Sequence, residues 1–141
     1  MNLSALNNGC FVGEEDVFKI IEKDCLVNHI PMMVFVNTTS VQFVPKLIRA
    51  VSQIKKDFED LTSEEYEIID RKTNEICQAP LWLNDIMIKS IEDYKSAEET
   101  IINEKIKYVF VDVLPDTISR LDVMKWSKEI GINVYFTKFT L

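Results

Sequence analysis

The sequence predicts an α/β domain with a mainly parallel sheet, and two observations carry that prediction. Short apolar runs rich in valine and aromatic residues are typical of strands covered on both faces, and they alternate with longer segments of helical spacing. The runs are residues 31–37, 81–83, 107–114 and 133–139, and residues 3–6 are a candidate fifth strand. This alternation predicts right-handed connections and strand carboxyl ends gathered at one edge, where functional residues usually lie.

The helical segments carry recognisable start signals. Thr62 and Glu65 are spaced as a capping box, and Ser90 with Asp93 opens a second helix, predicted to run toward residue 104, in the same way. Ser40 and the residues just before it are a candidate cap for an earlier helix. In that helix Pro45 would clash with the carbonyl of residue 41, so we expect a late start or a kink.

The last helix is predicted over residues 117–130, with Gly131 as its left-handed cap. Only three Gly and four Pro occur in 141 residues, so breaks are few. A chain of this length that is 47% apolar can bury one sizeable core. We therefore expect residues 1–141 to form a single domain.

Charge and hydropathy exclude several classes of function. With 16 basic and 23 acidic residues the net charge is −7, which opposes nonspecific binding to nucleic acid. No secretory signal is evident, and no apolar run approaches the ~20 residues that span a bilayer. We expect a cytoplasmic protein without a membrane partner.

The cysteines and the single histidine give no metal or catalytic pattern. Cys10, Cys25 and Cys77 are scattered, which favours reduced, buried thiols over disulfides or a zinc site. His29 is predicted to lie in a turn between a helix and a strand, and alone it cannot build a histidine-based triad.

Three longer stretches share a pattern with a known family. They are "LTSEEYEIIDRKTNEICQAPLWLND", "KSIEDYKSAEETIINEKIKYVFVDVL" and "DVMKWSKEIGINVYFTKFTL". Together they resemble the first part of the RecA-like ATPase domain of DnaB-type replicative helicases. The resemblance implies a three-layer RecA-like (P-loop NTPase-like) fold, a mainly parallel sheet flanked by helices.

The family's phosphate-binding loop aligns with "NNGCFVGEEDVF", residues 7–18. Gly13 then matches the glycine of its Gly-Lys-Thr, Glu14 the phosphate-binding lysine and Glu15 the threonine that reaches Mg²⁺. Two like charges ~4 Å apart at an effective dielectric near 20 repel by about 4 kcal/mol, so inverting the charge strongly disfavours phosphate binding. Without alignment, acidic residues here are ordinary for a helix N-terminus.

The other positions that the resemblance marks are also altered. Thr38 stands at the position of the family's catalytic glutamate. Threonine is too weak a base to replace that glutamate at neutral pH. Asp112 matches the Walker B aspartate, and we expect it to accept hydrogen bonds from loop amides near the Gly13 turn. Lys138 stands at the position of the family's nucleotide-sensing glutamine. Leu141 stands at a position where the family commonly has a basic residue.

These substitutions predict a domain with no catalytic residues, no metal site and no cofactor. Gly13, Glu14, Glu15, Thr38, Asp112 and Lys138 would be the vestigial nucleotide-site positions. We expect a catalytically inactive domain that acts through a protein partner or self-association, in DNA replication or a mobile element, and expect ATP binding to be lost. Two alternatives stay open: a remodelled nucleotide or small-ligand site using Asp112 and Lys138, and a truncated helicase remnant whose exposed edge self-associates.

Overall fold

A computed structural model describes residues 2–37 and 39–140, and it has the predicted α/β architecture. Four parallel strands form one sheet in the order β2-β1-β3-β4. They are β1 (Met32–Phe35), β2 (Leu81–Asn84), β3 (Tyr108–Asp112) and β4 (Asn133–Thr137). Each lies within or overlaps one of the four predicted runs, so the prediction of a parallel sheet is confirmed.

Helices connect the strands and cover both faces of the sheet. The helix α1 (Glu14–Ile20) continues directly into a π-helical segment (Ile21–Val27), called the π segment below. The others are α2 (Ser40–Ser52), α3 (Ser63–Gln78), α4 (Ile91–Lys95), α5 (Glu98–Asn103) and α6 (Arg120–Ile130).

The side chains of each strand alternate between two separate cores, which gives the domain three layers. Met32 and Val34 of β1 pack into one core with α1, the π segment and α2, while Met33 and Phe35 face a second core with α4, α5 and α6. All four residues of β1 are 0–2% exposed, whichever core they face. A strand buried on both sides must be apolar at every position, which is why these runs do not alternate with polar residues.

Two of the predicted caps are confirmed. The N–H of Glu65 donates to Thr62 Oγ1 at 3.2 Å, and Glu65 Oε1 accepts the N–H of Thr62 at 3.0 Å, which completes the capping box of α3. Gly131 ends α6 at φ 76°, a left-handed conformation that glycine adopts without a Cβ penalty.

The predicted helix from Ser90 toward residue 104 is instead two short helices. Asp93 Oδ2 accepts the N–H of Ser90 at 3.0 Å, so the start signal works as expected. Ser96 Oγ then donates to the carbonyl oxygen of Asp93 at 2.6 Å, and α4 ends there. A serine side chain that competes for helix carbonyls favours such an interruption.

The bounds of two other helices also differ from prediction. The helix α6 begins at Arg120 rather than residue 117 because Ser119 is its N-cap, with Oγ accepting the N–H of Asp122 at 3.1 Å. The prediction of a late start for α2 was wrong, since the helix begins at Ser40 and runs through Pro45. Its first N–H group, on Ser40, donates to Asp85 Oδ2 at 3.0 Å, whereas the N-cap Thr39 makes no side-chain cap.

The predicted fifth strand at residues 3–6 was wrong. Residues Leu3–Ala5 form a single 3₁₀ turn, and Asn2 Oδ1 accepts the N–H of Ser4 at 3.3 Å. An asparagine that caps the local backbone in this way favours a turn over a strand.

The thiols and the histidine fall in different environments. Cys25 is buried as predicted, Cys10 is half-buried and Cys77 is exposed, so the prediction of burial was wrong for Cys77. His29 is exposed, at φ 56° in the turn between the π segment and β1, as predicted. Within the described part of the chain, no helix has the length and apolar character needed to cross a membrane.

Candidate functional site

Residues 8–12 place the phosphate-loop position at the carboxyl edge of the sheet. This segment runs parallel to β4 along its free side, with a single β-bridge between Phe11 and Phe136. The N–H of Val12 donates to the carbonyl of Phe136 at 2.8 Å, and Phe136 N–H donates to the carbonyl of Cys10 at 3.0 Å. The chain therefore leaves the sheet at Gly13 and enters α1 at the edge where β3 and β4 also end.

The two glycines of this stretch have different structural roles. Gly9 has φ 84°, and a Cβ there would lie 2.6 Å from the Met124 side chain. Gly13 is the N-cap of α1 at φ −64°, a value open to any residue, and a Cβ would meet nothing within 4 Å. Of these two glycines, only Gly9 has a backbone conformation that favours glycine over other residues.

Glu14, at the position of the family's lysine, is the centre of a polar cluster. Its carboxylate forms an ion pair with Lys46 of α2. Thr140 donates its hydroxyl to Glu14 Oε2 at 2.8 Å and its N–H to Oε1 at 3.3 Å. Lys46 Nζ also donates to Thr140, to the carbonyl and, at 3.0 Å, to Oγ1. We call Glu14, Lys46 and Thr140 the Glu14 cluster.

The Glu14 cluster favours the ionised carboxylate. Partial burial by itself raises the pKa of Glu14, but the hydrogen bonds and charge of Lys46 and the hydrogen bonds from Thr140 outweigh it, so the pKa lies below the ordinary value of 4.5. At neutral pH a negative charge is therefore fixed at the N-terminus of α1. Glu15 is exposed, and it makes no ion pair within the described residues.

Asp112, at the end of β3, is 7% exposed and accepts three backbone N–H groups. Oδ1 accepts those of Val113 at 2.9 Å and Phe139 at 3.1 Å, and Oδ2 accepts that of Asn37 at 3.0 Å. The expected role as an acceptor for loop amides is confirmed. The three donors follow β1, β3 and β4, and none of them belongs to the Gly13 turn.

Consecutive residues after β4 link the two carboxylates. Phe139 donates its N–H to Asp112, and Thr140 donates its N–H to Glu14. The Phe139 ring is 8% exposed and lies between the rings of Phe18 and Phe43, with centroids 5.8 Å and 4.9 Å away. The chain after β4 is thereby fixed across the carboxyl edge.

The remaining predicted positions are not brought into the Glu14 cluster. Lys138 is exposed, and its side chain has no hydrogen bond or ion pair within residues 2–37 and 39–140. Thr38 and Leu141 lie outside the described residues. In the described ranges, no group of three or more His, Cys, Asp or Glu side chains is arranged to hold a metal ion.

The spaces beside the two carboxylates differ greatly in size. The cavity that Asp112 lines, with Asn37, Tyr94 and Pro115 among others, measures about 10 Å³. A single water needs about 10–15 Å³. A cleft of about 730 Å³ lies instead beside Glu14, Lys46 and Thr140.

Sequence reasoning missed the residues that hold the carboxylates. Lys46 carries no local signal beyond its place after Pro45, and its partner Glu14 comes from another helix. Phe139 and Thr140 lie within a segment expected to reach the edge, yet nothing in their residue types marks them as partners of Asp112 and Glu14.

Comparison with known proteins supports the fold through structure alone. No protein-family model matches the chain, and no curated protein matches it in sequence. A solved structure of a DnaB-like replicative helicase, described with its interactions with primase, superposes with a TM-score of 0.70 at 14% identity, covering 93% of this chain and 40% of the other. A second solved structure, of an ATPase domain, gives a TM-score of 0.69 at 15% identity, covering 94% of this chain and 58% of the other.

These likenesses confirm the predicted RecA-like fold and its similarity to DnaB-like helicase ATPase domains. The chain spans about half the length of the structures it matches, 40% of one and 58% of the other.

Proposed function

We propose that the chain is a catalytically inactive DnaB-helicase-like domain that acts as a protein-interaction or regulatory module. The observation that carries this proposal is the Glu14 cluster, in which a carboxylate lies where the resemblance implies the phosphate-binding lysine. The setting, DNA replication or a mobile element, is proposed from the fold likeness to DnaB-like helicases.

The electrostatics of the cluster oppose a bound triphosphate. Glu14 is ionised at neutral pH, its lowered pKa extends the ionised form to lower pH, and Lys46, the cation beside it, is already paired with it. A phosphate entering here would have to displace both Thr140 and Glu14 from Lys46. It would also meet the Glu14 charge at short range, a repulsion of about 4 kcal/mol per unit charge at ~4 Å.

Asp112 gives independent support. Its oxygens accept the N–H groups of Asn37, Val113 and Phe139, so a metal ion would compete with three hydrogen bonds. The cavity that Asp112 lines, about 10 Å³, is itself too small to hold a nucleotide. The same restriction weighs against a small-ligand site built from Asp112 and Lys138.

An ATPase assay tests the proposal directly. We expect the purified chain to show no Mg²⁺-dependent ATP hydrolysis above background, and millimolar Mg-ATP to leave its melting temperature unchanged, because a ligand that binds only the folded state raises it. Asp116→Asn is a matched control, since Asp116 is exposed and close in sequence. Hydrolysis that survives Asp116→Asn and disappears in Asp112→Asn would refute the proposal.

Affinity capture from the source cells tests the interaction role. Recovery of a replication or mobile-element protein by the wild-type chain would support the proposed setting. Concentration-dependent self-association in light scattering, without any captured partner, would favour the remnant alternative instead.

A further inference from the structure

An elongated groove runs between the first two helices, and we call it the α1–α2 groove. It consists of two adjoining clefts of about 730 and 830 Å³ between α1 with the π segment on one side and α2 on the other. Both clefts are lined by Phe18, Arg49 and Ala50, which makes them continuous. Exposed apolar side chains lie at both ends: Val41 lines the first cleft and is 79% exposed, and Val27 lines the second and is 67% exposed.

The charge of the groove is opposite to that of the chain. Five basic side chains line it against three acidic ones, whereas the whole chain carries −7. The basic residues are Lys19, Lys23, Lys46, Arg49 and Lys55, and the acidic ones are Glu14, Glu15 and Glu22. Lys46 is paired with Glu14, but Lys19, Lys23 and Lys55 have no ion pair within the described part of the chain.

Arg49 adds an observation of another kind. Its guanidinium carbon lies 5.1 Å from the centre of the Phe58 ring, so the side chain is held in place. Its Nε atom is buried and has no hydrogen-bond acceptor among the described residues. A buried donor without an acceptor is unfavourable, and arginine binds carboxylates through two parallel hydrogen bonds, so the Arg49 guanidinium favours a carboxylate ligand.

We propose that the α1–α2 groove binds an acidic amphipathic helix of a partner protein. The apolar face of that helix packs on Phe18 and Ala50 and against Val41 and Val27, while its carboxylates pair with Arg49, Lys19 and Lys23. This places apolar anchors in a groove with charged groups at the rim, as helices bound in grooves do. A nucleic-acid backbone carries a charge at every phosphate and offers no apolar face to Val27 and Val41, so these exposed side chains favour a helix with an apolar stripe. The inference rests on the proposed interaction function and specifies its surface.

Selection from a displayed peptide library tests this. The library fixes a leucine stripe over about 18 residues, five turns of helix, and varies the other positions among Glu, Asp, Lys and Ser. Selected against the full chain, it should enrich acidic sequences. The strongest binder, labelled with fluorescein, should bind in an anisotropy titration more weakly as NaCl is raised.

Matched variants locate the binding. The double variant Lys19→Gln/Lys23→Gln should weaken binding about tenfold, and Arg49→Lys, which keeps the charge but loses the guanidinium fork, should weaken it by a similar factor. Lys125→Gln/Lys128→Gln is the control because both lysines are exposed on α6, which packs on the other face of the sheet, and it should leave binding unchanged. Thermal melts check that each variant is folded.

Several results would overturn the inference. These are enrichment of basic or neutral sequences, no enrichment at all, equal weakening by the α6 control, or tighter binding of a single-stranded oligonucleotide or of anionic vesicles than of the selected peptide. Each leaves the proposed loss of ATP hydrolysis intact, whereas ATP turnover refutes the proposed function whatever the peptide result.

Discussion

Asp112 Oδ1 accepts the backbone N–H of Phe139 at 3.1 Å, across 27 residues of sequence. With the N–H groups of Val113 and Asn37, this bond ties the ends of β1, β3 and β4 together through one carboxylate. The aspartate that the resemblance matches to Walker B is here an acceptor for backbone amides, as expected.

Asp112→Asn should therefore destabilise the fold. Asparagine can accept only through one oxygen, so its NH₂ group would face either the N–H of Asn37 or the N–H groups of Val113 and Phe139. Hydrogen bonds to a charged acceptor are worth about 1.5–3 kcal/mol, and we expect a loss of about that size in the free energy of unfolding, measured by urea denaturation. Asp116→Asn, at an exposed position, should change it by less than about 0.5 kcal/mol.

The Glu14 and Lys46 pair should show measurable coupling. Its side chains are 18% and 31% exposed, less than in most surface pairs, so a double-mutant cycle with Glu14→Gln and Lys46→Met should give about 1 kcal/mol. The exposed pair of Lys95 and Glu92, at 3.8 Å, serves as the control and should give a coupling close to zero. Equal coupling in the two pairs would contradict a special role for the Glu14 cluster.

Acid should remove the contribution of Glu14. Because its folded pKa lies below the ordinary 4.5, ionised Glu14 stabilises the fold above that value and loses this effect as pH falls through the folded pKa. Urea denaturation of wild type and Glu14→Gln should give a difference that is full near neutral pH and shrinks below about pH 4.5. The carboxyls of Glu65 and Asp93 also have lowered pKa values, but both proteins share them, so the difference isolates Glu14. A pH-independent difference would exclude the assigned shift.

Substitution by serine should have opposite effects on stability at the two glycines of residues 7–18. Gly13→Ser adds a side chain that can cap α1 where the backbone is already suitable, and we expect a gain of a few tenths of a kcal/mol up to about 1 kcal/mol. Gly9→Ser would place a side chain at φ 84° against Met124 and should cost about 1–2 kcal/mol. Melting temperatures of the two variants test this, and a Gly13→Ser variant that melts below the wild type would contradict the expected cap.

Removing the Phe139 ring should loosen the carboxyl edge. The ring is nearly buried between Phe18 and Phe43, so Phe139→Ala should cost about 3–4 kcal/mol. Phe11→Ala, at a site that is 62% exposed, is the matched control and should cost less than about 0.5 kcal/mol. A small effect at Phe139 would mean that the chain after β4 contributes little to holding this edge.

Features set by near neighbours were predictable from sequence, and those set by distant contacts were not. Thr62 and Glu65 cap each other over three residues, and β1 shows its burial on two faces by being apolar throughout. Glu14 was recognisable as a carboxylate in a phosphate position, but its pairing with Lys46 depends on how two helices pack, which no local pattern encodes. The break between α4 and α5 at Ser96 was not predicted, because it depends on a hydrogen bond from one serine hydroxyl rather than on a residue pattern.

The link made by Phe139 and Thr140 restricts which substitutions the carboxyl edge can accept. A lysine at position 14 would set two cations side by side at Lys46 and remove the acceptor of Thr140. Freeing Asp112 for a metal would release the amides of Asn37, Val113 and Phe139. Under the proposed function, each single substitution toward a nucleotide site would thus weaken the fold before it yielded any chemistry.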